Sequence, residues 1–338
     1  MNTCPVAGEP AADALPGIIP GPHGEPAPLL RLALARGPVR IAVVHPCDSP
    51  SLAAMSAACH AGLIDPVVIA PRERIQALAS AAGIDLAGIE IDDVPHSHAA
   101  AARAVELAAR GHVQALMKGS LPTAELMEAV VQPGKGWLGL RTGKRMSHCF
   151  LMQIPSYPRP FIITDAAVNV VPDLEQKQGI VQNAIDLAHA LGLALPRVAI
   201  LGAVETVNSK MRATLDAAAL SKMADRGQLT GALVDGPLAF DDAISVRAAR
   251  LKGIVSLVAG RADILVVPDL EAGNMLVKQL EFLGGAASAG IVLGARVPIV
   301  LTGRTDGVPT RVASCALAVL LADPCGGQAG GRCRPESA

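Results

Sequence analysis

Residues 40–46 read RIAVVHP, residues 51–63 SLAAMSAACHAGL, residues 65–71 DPVVIAP and residues 72–83 RERIQALASAAG. A β-branched run too short for a helix is followed by an Ala-rich stretch of helical length, and the pair then repeats. Strand, helix, strand, helix requires a parallel sheet with right-handed crossovers. The apolar runs do not alternate with polar residues, as is expected of strands buried on both faces. The same alternation continues with VQALMKG (113–119) and TAELMEAVV (123–131). It restarts after FIITD (161–165) with QGIVQNAIDLAHALG (178–192), RVAILGAV (197–204), TLDAAALSKMADRG (214–227), GALVDGP (231–237), ADILVVPD (262–269) and GNMLVKQLEFLGG (273–285). The strand VPIVLTG (297–303) and the helix RVASCALAVLLA (311–322) come last.

The reading is therefore an α/β protein of two lobes, each a three-layer α/β/α sandwich with a mostly parallel sheet. A chain of 338 residues exceeds one typical core and accommodates both. The first lobe is expected at residues 31–160 and is rejoined by residues 304–323; the second spans 161–303. Residues 1–30 and 324–338, dense in Pro, Gly and Ala without periodicity, are expected to be loose tails.

Composition narrows the partners. Hydrophobic residues make up 51% of the chain but aromatics only 2%, so the core is aliphatic. A formal net charge of −1 supplies no broad field for nucleic acid or an anionic membrane, and an anionic ligand has to be caught by a few local cations. No apolar run reaches the roughly 18 residues of a membrane span and no signal-peptide pattern opens the chain, which reads as cytoplasmic. Seven scattered cysteines, never spaced C-x-x-C, argue against a disulfide framework or a zinc site, and no metal is expected.

In open α/β sheets ligands bind outside the carboxyl ends of the strands. Those positions hold Lys118, Gly119 and Ser120; Thr164 and Asp165; Glu205; Asp235 and Gly236; Pro268 and Asp269; and Thr302, Gly303 and Arg304. Glycine allows close backbone approach and small hydroxyls donate hydrogen bonds, a set that suits a phosphate-bearing ligand. Lys118 to Thr123 reads as a phosphate-holding loop running into a helix N-terminus, or as an ordinary strand-to-helix turn. Asp165, Asp235 and Asp269 stand equally as helix caps or turn acceptors, and for Asp235 that plainer reading is preferred. Arg141, Lys144 and Arg145, with Ser147 and His148, follow the Gly-rich stretch 132–140 and read either as a solvated basic loop or, by slight preference, as a loop gripping phosphate or a nucleotide 3′-phosphate. Arg304, Asp306 and Arg311 follow a strand directly, which favours a ligand site over a surface turn.

The stretches MKGSLPT, GLRTGKRMSH, TDAAVNVVPDLEQK, the long segment from VETVNSKM to LAFDDAIS, ADILVVPDLEAGNMLVKQL and LTGRTD resemble the phosphate acetyl/butyryltransferase family, over roughly residues 40–322. The chain looks more similar to the butyryltransferase-like branch, and to the transferase portion of fusions with an enoyl-CoA hydratase domain, than to the acetate-type branch. The 30 residues in front are too few to hold such a hydratase domain. The resemblance implies an isocitrate/isopropylmalate dehydrogenase-like fold, a homodimer, acyl-CoA and inorganic phosphate as substrates, and no cofactor. It implies that Arg304 binds acyl phosphate and steadies transition-state charge beside Thr302, Gly119 and Ser120. Asp306, the close carboxylate, is then the base, and Arg141, Ser147 and His148 fall in the segment that supplies phosphate contacts. Lys118, Thr123, Thr164, Asp165, Asn169, Gly303 and Arg311 complete the substrate contacts expected of this sequence.

One position departs from the family, which usually carries Ser just before the motif Arg where this chain has Gly303. Restoring Ser is expected to regain a hydrogen bond, unless Gly303 is needed for a positive φ. Two other functions are weighed: a CoA or acyl-phosphate binder with little turnover, and a nicotinamide-dependent dehydrogenase of the related fold. The second lacks the G-x-G-x-x-G fingerprint after its first strand.

Overall fold

A computed structural model describes residues 14–21, 25–132 and 139–322. In chain order the elements are α1 (Pro28–Leu34), β1 (Val39–Val44), α2 (Ser49–His60), β2 (Ile64–Ala70), α3 (Arg72–Ala82), β3 (Glu90–Asp93), α4 (Ser97–Ala109), β4 (Ala115–Lys118), α5 (Thr123–Val131), β5 (Ser147–Gln153) and β6 (Phe161–Thr164). They continue with α6 (Leu174–Ala190), β7 (Arg197–Leu201), α7 (Arg212–Asp225), β8 (Leu233–Leu238), α8 (Phe240–Ile244), α9 (Val246–Leu251), β9 (Ile264–Val266), α10 (Leu270–Phe282), β10 (Ala287–Leu293), β11 (Ile299–Val300) and α11 (Val308–Leu321).

The strands form one continuous 11-stranded sheet in the order β3-β2-β1-β4-β11-β10-β5-β6-β9-β7-β8. Both faces are covered. On one, Ile41, Val43, Met117, Cys149, Ile162 and Val266 pack beneath α1, α2, α3, α6, α7 and α11. On the other, the alternate residues Ala42, Val44 and Leu116 pack beneath α4 and α5, and Phe150, Ile163 and Leu265 beneath α8 to α10. Because each strand sends successive side chains to opposite faces, burial on both sides is what makes its apolar run continuous.

Strand direction has a consequence the alternation does not carry. β1, β2, β3, β4 and β11 are mutually parallel, but β10 is antiparallel to β11, β5 to β10, and β6 to β5. The set β6, β7, β8 and β9 is parallel within itself. It therefore runs opposite to the first set. The carboxyl ends of the two sets open on opposite edges of the sheet, so the strand-end residues singled out in the sequence divide between two edges.

Two boundaries also differ from expectation. Residues 14–21 and 25–30 are not loose: Leu15 and Ile18 are buried in the core, and the Ile18 and Ile19 amides donate to Gln153 Oε1 at 2.7 and 3.0 Å. Pro at the start of α1 serves as a helix opener, where its missing N–H costs nothing. β11 pairs with β4, so the return to the first set begins before residue 304. The tail expected at 324–338, the first 13 residues and most of the Gly-rich stretch lie outside the described residues. No helix among the described residues is long and apolar enough to cross a membrane.

Candidate active site

β1 and β4 end side by side, with Val44 paired to Lys118. Beyond them the two turns lock together: Gly119 N donates to the Val44 carbonyl at 2.9 Å, and Ser120 N to the His45 carbonyl at 3.0 Å. Ser120 Oγ also donates to the His45 carbonyl at 2.9 Å, which leaves His45 Nδ1 as donor to Ser120 Oγ at 3.2 Å. His45 has φ 51, left-handed backbone that a non-glycine residue seldom adopts. Burial lowers its pKa, and the Arg74 charge lowers it further.

Lys118 is buried, and its Nζ donates to the carbonyls of Gly119 and Leu121 at 3.1 and 3.0 Å. Burial pushes its pKa below the usual lysine range, and the charges of Arg311 and Arg304 push it further, with Asp48 and Asp306 opposing. Those charges act on Lys118 because β4 and β11 are neighbours that end on the same edge.

The turn after β11 is held from two sides. Gly303 N donates to Asp306 Oδ2 at 2.6 Å, and Lys278 Nζ on α10 approaches Asp306 Oδ1 at 3.5 Å. From below, Arg311 donates through Nε to the Asp306 carbonyl at 3.1 Å and through Nη2 to the Gly303 carbonyl at 3.0 Å. Arg311 is itself buried, so its role here is to shape the turn. Arg304 is exposed and has no hydrogen bond or ion pair among the described residues. Thr302 is buried with no partner for its Oγ1. Buried hydroxyls are seldom left unpaired, so this one marks a place for a ligand oxygen.

The other expected residues lie elsewhere. Arg141 bridges to Ala295, past the carboxyl end of β10. Ile299 pairs with Val292, and Thr302 and Ala295 lie three residues beyond in opposite directions, on the order of 15–20 Å apart along the strands. Around Arg141, a polar cavity of about 560 Å³ is lined by Lys144, Arg145, Gln182 and Asn183 among others. Arg145 Nε donates to Asn169 Oδ1, and Asn169 Nδ2 donates to the Met146 carbonyl and to Asp165. The Asp165 carboxylate also accepts the amides of Ala167, Val168 and Asn169, a turn acceptor in full use. Asp269 caps α10 through the Ala272 amide, and Asp235 accepts the amide of Gly236.

Ser147 and His148, expected in the phosphate-contacting segment, are closed within β5. Ser147 Oγ accepts from Asn183 Nδ2 at 2.8 Å, and Thr164 Oγ1 donates to the His148 carbonyl at 2.9 Å. His148 Nε2 donates to the Leu301 carbonyl at 3.0 Å, since a carbonyl only accepts, and its buried Nδ1 is an acceptor without a partner. Burial lowers the His148 pKa. Thr123 opens α5 directly after the Lys118 turn.

A family model described as phosphate acetyl/butaryl transferase matches residues 96–319. The chain belongs to that family. It is 57% identical over 294 residues to a phosphate acetyltransferase of Rhizobium meliloti, covering 87% of this chain and 92% of that protein. It is 40% identical over 283 residues to a phosphate butyryltransferase of Clostridium beijerinckii, covering 84% of this chain and 93% of that one. The crystal structure of a branched-chain phosphotransacylase from Enterococcus faecalis superposes with a TM-score of 0.72 at 28% identity, covering 83% of this chain and 98% of that one. Identity to the acetyltransferase exceeds that to the butyryltransferase, so these names do not favour a butyryl branch.

The family's missing Ser has a local explanation. Gly303 is not among the residues with positive φ, which removes one of the two accounts of it. A Cβ there would sit 2.9 Å from Asp306 Oδ1 and 3.3 Å from Cγ. The carboxylate occupies the space a side chain needs. Gly303→Ser is therefore expected to loosen the bond from Gly303 N to Asp306, costing about 1 kcal/mol of stability and roughly two- to tenfold in kcat/KM. Tm and kcat/KM measured together check this, and a faster enzyme at unchanged Tm would contradict it.

Proposed function

We propose that the chain catalyses reversible transfer of a short acyl group between CoA and inorganic phosphate, by direct transfer in a ternary complex. The observation that carries the reading is the unpaired Arg304 guanidinium beside the buried Lys118 and the orphaned Thr302 hydroxyl, at the shared edge of β4 and β11. Two cations, a hydroxyl and a glycine turn suit phosphate oxygens. The relatives' names supply the acyl donor.

In one direction a phosphate oxygen attacks the thioester carbonyl carbon, the C–S bond breaks and the CoA thiolate leaves and is protonated. In the other the thiolate attacks the acyl phosphate carbonyl, the C–O bond breaks and phosphate leaves. Arg304, Lys118 and Thr302 hold the phosphate, Ser120 joins them by turning its hydroxyl away from the His45 carbonyl, and Arg304 offsets charge that develops in the transition state. A free thiol, with pKa about 8.5, is only a few per cent ionised at neutral pH, so a base helps. Asp306 takes that role. Each of its oxygens accepts one donor, from Lys278 and from Gly303 N, and keeps a lone pair for the proton. The atoms balance without a metal or redox cofactor.

Acetyl is favoured as the acyl group because identity to the protein named acetyltransferase is higher. The homodimer implied by the resemblance and the cytoplasmic location read from the sequence belong to the same proposal. Family membership speaks against the dehydrogenase, and the binder without turnover is addressed by experiment. Purified protein with acetyl-CoA should release free thiol only when phosphate is added, without nicotinamide reduction, and faster than with butyryl-CoA. Phosphate-independent release, or stoichiometric binding with no turnover, would overturn the reading.

A further inference from the structure

The Arg304 turn belongs to the first set of elements, yet one side chain grips it from the second. Lys278 projects from α10, where its Nζ donates to Glu281 Oε2 at 2.8 Å and reaches Asp306 Oδ1 at 3.5 Å. Glu281 is held in turn, because Ser288 Oγ on β10 donates to its Oε1 at 2.7 Å. Burial works against the Lys278 charge, but the bond to Glu281 and the Asp306 charge more than offset it and raise the pKa above the usual lysine range. The ammonium is therefore a fixed cation. Beyond Asp306 the chain of contacts ends on Gly303 N, one residue from the guanidinium that meets the substrate.

We propose that Lys278 is a positioning residue for the transfer reaction, acting through Asp306 to hold the Arg304 turn in place from the opposite half of the molecule. The inference rests on the role given to Asp306 above. Three features support it. The contact closes a loop of structure, because α10 runs into β10, β10 pairs with β11 and β11 leads into the turn, so it fixes how α10 sits against that turn. Glu281, fastened to β10 by Ser288, keeps the ammonium from swinging to solvent. Arg311 already braces the two carbonyls of the turn, so the amide side depends on Asp306 and on whatever holds its carboxylate.

The relation is catalytic positioning only if Lys278 and Asp306 act as a unit. Lys278→Met should lower kcat about three- to fivefold, the effect of a half-exposed ion pair, with KM for phosphate changed less than twofold. Lys278→Arg keeps the charge and should retain at least half of kcat. Asp306→Asn alone should cost at least about tenfold as loss of a base. In the Asp306→Asn background, Lys278→Met should then change kcat by less than about 1.5-fold, because partners in one network are not additive. Tm recorded for each variant separates misfolding from this effect, and the arginine variant carries the test if the methionine variant does not fold. Full additivity of the two losses, or a Lys278→Met enzyme as fast as the parent, would overturn the proposal and leave the role of Asp306 standing. An Asp306→Asn enzyme with undiminished kcat would instead remove that role, and the present inference with it.

Discussion

Arg304→Ala is expected to lower kcat by roughly 10²–10³-fold, equivalent to about 2.7–4 kcal/mol of transition-state stabilisation. The guanidinium is exposed and has no partner among the described residues, so its removal breaks no contact in the fold. Surface substitutions of that kind stay within about 0.5 kcal/mol in stability. The expected signature is thus a large loss of rate at an unchanged melting temperature. Arg304→Lys should recover only part of the rate, because an ammonium is a point charge without the planar fork that matches two phosphate oxygens. Initial rates of thiol release beside a thermal melt decide the matter, and a folded Arg304→Ala enzyme that loses less than about threefold would remove Arg304 from the reaction.

Gly119→Ala is expected to be damaging for the opposite reason. A Cβ at Gly119 would lie 2.5 Å from the Val44 carbonyl oxygen and 2.6 Å from that of His45. Both are backbone atoms at the end of β1, and neither can rotate away as a side chain would. The strand ends must separate, which strains the bonds from Gly119 N and Ser120 N that fasten the two turns. Overpacking of this kind costs about 1–3 kcal/mol, or roughly 1–4 °C in Tm for a chain of 338 residues. The same movement carries Lys118 and Ser120 off position, and a shift near 1 Å in such groups can cost as much as about 10²-fold in rate. The expected result is a lower Tm together with a loss of at least about tenfold in kcat/KM. Parental values for both would mean that the two turns do not meet as described.

Much of this protein was determined by the sequence alone. The class of fold follows from short β-branched runs alternating with Ala-rich helical stretches, because those two periods leave no other way to bury both faces of the strands. The candidate phosphate site follows as well: Lys118, Gly119, Ser120, Thr302 and Arg304 are polar residues placed directly after apolar runs, where a parallel sheet opens. The motifs around them also carried the family resemblance that the comparisons show.

Tertiary structure decided which strand ends share an edge. Strand direction depends on how β5 and β10 pair across the middle of the sheet, over a sequence separation that no local pattern encodes. That pairing sends Arg141, Asp165 and Asn169 to the edge opposite Arg304, and turns Asp165 and Ser147 into internal hydrogen-bond partners. It also brought in residues that the sequence reading passed over. His45 stands directly after the first strand, a position that could have been counted with the other strand ends. Lys278 has no such signal, being one cation on a helix face until α10 is laid against the turn at Asp306. Gly303 shows the same division most sharply: its departure from the family is visible in the sequence, but the reason is a carboxylate three residues away that folds back into the space a side chain would fill.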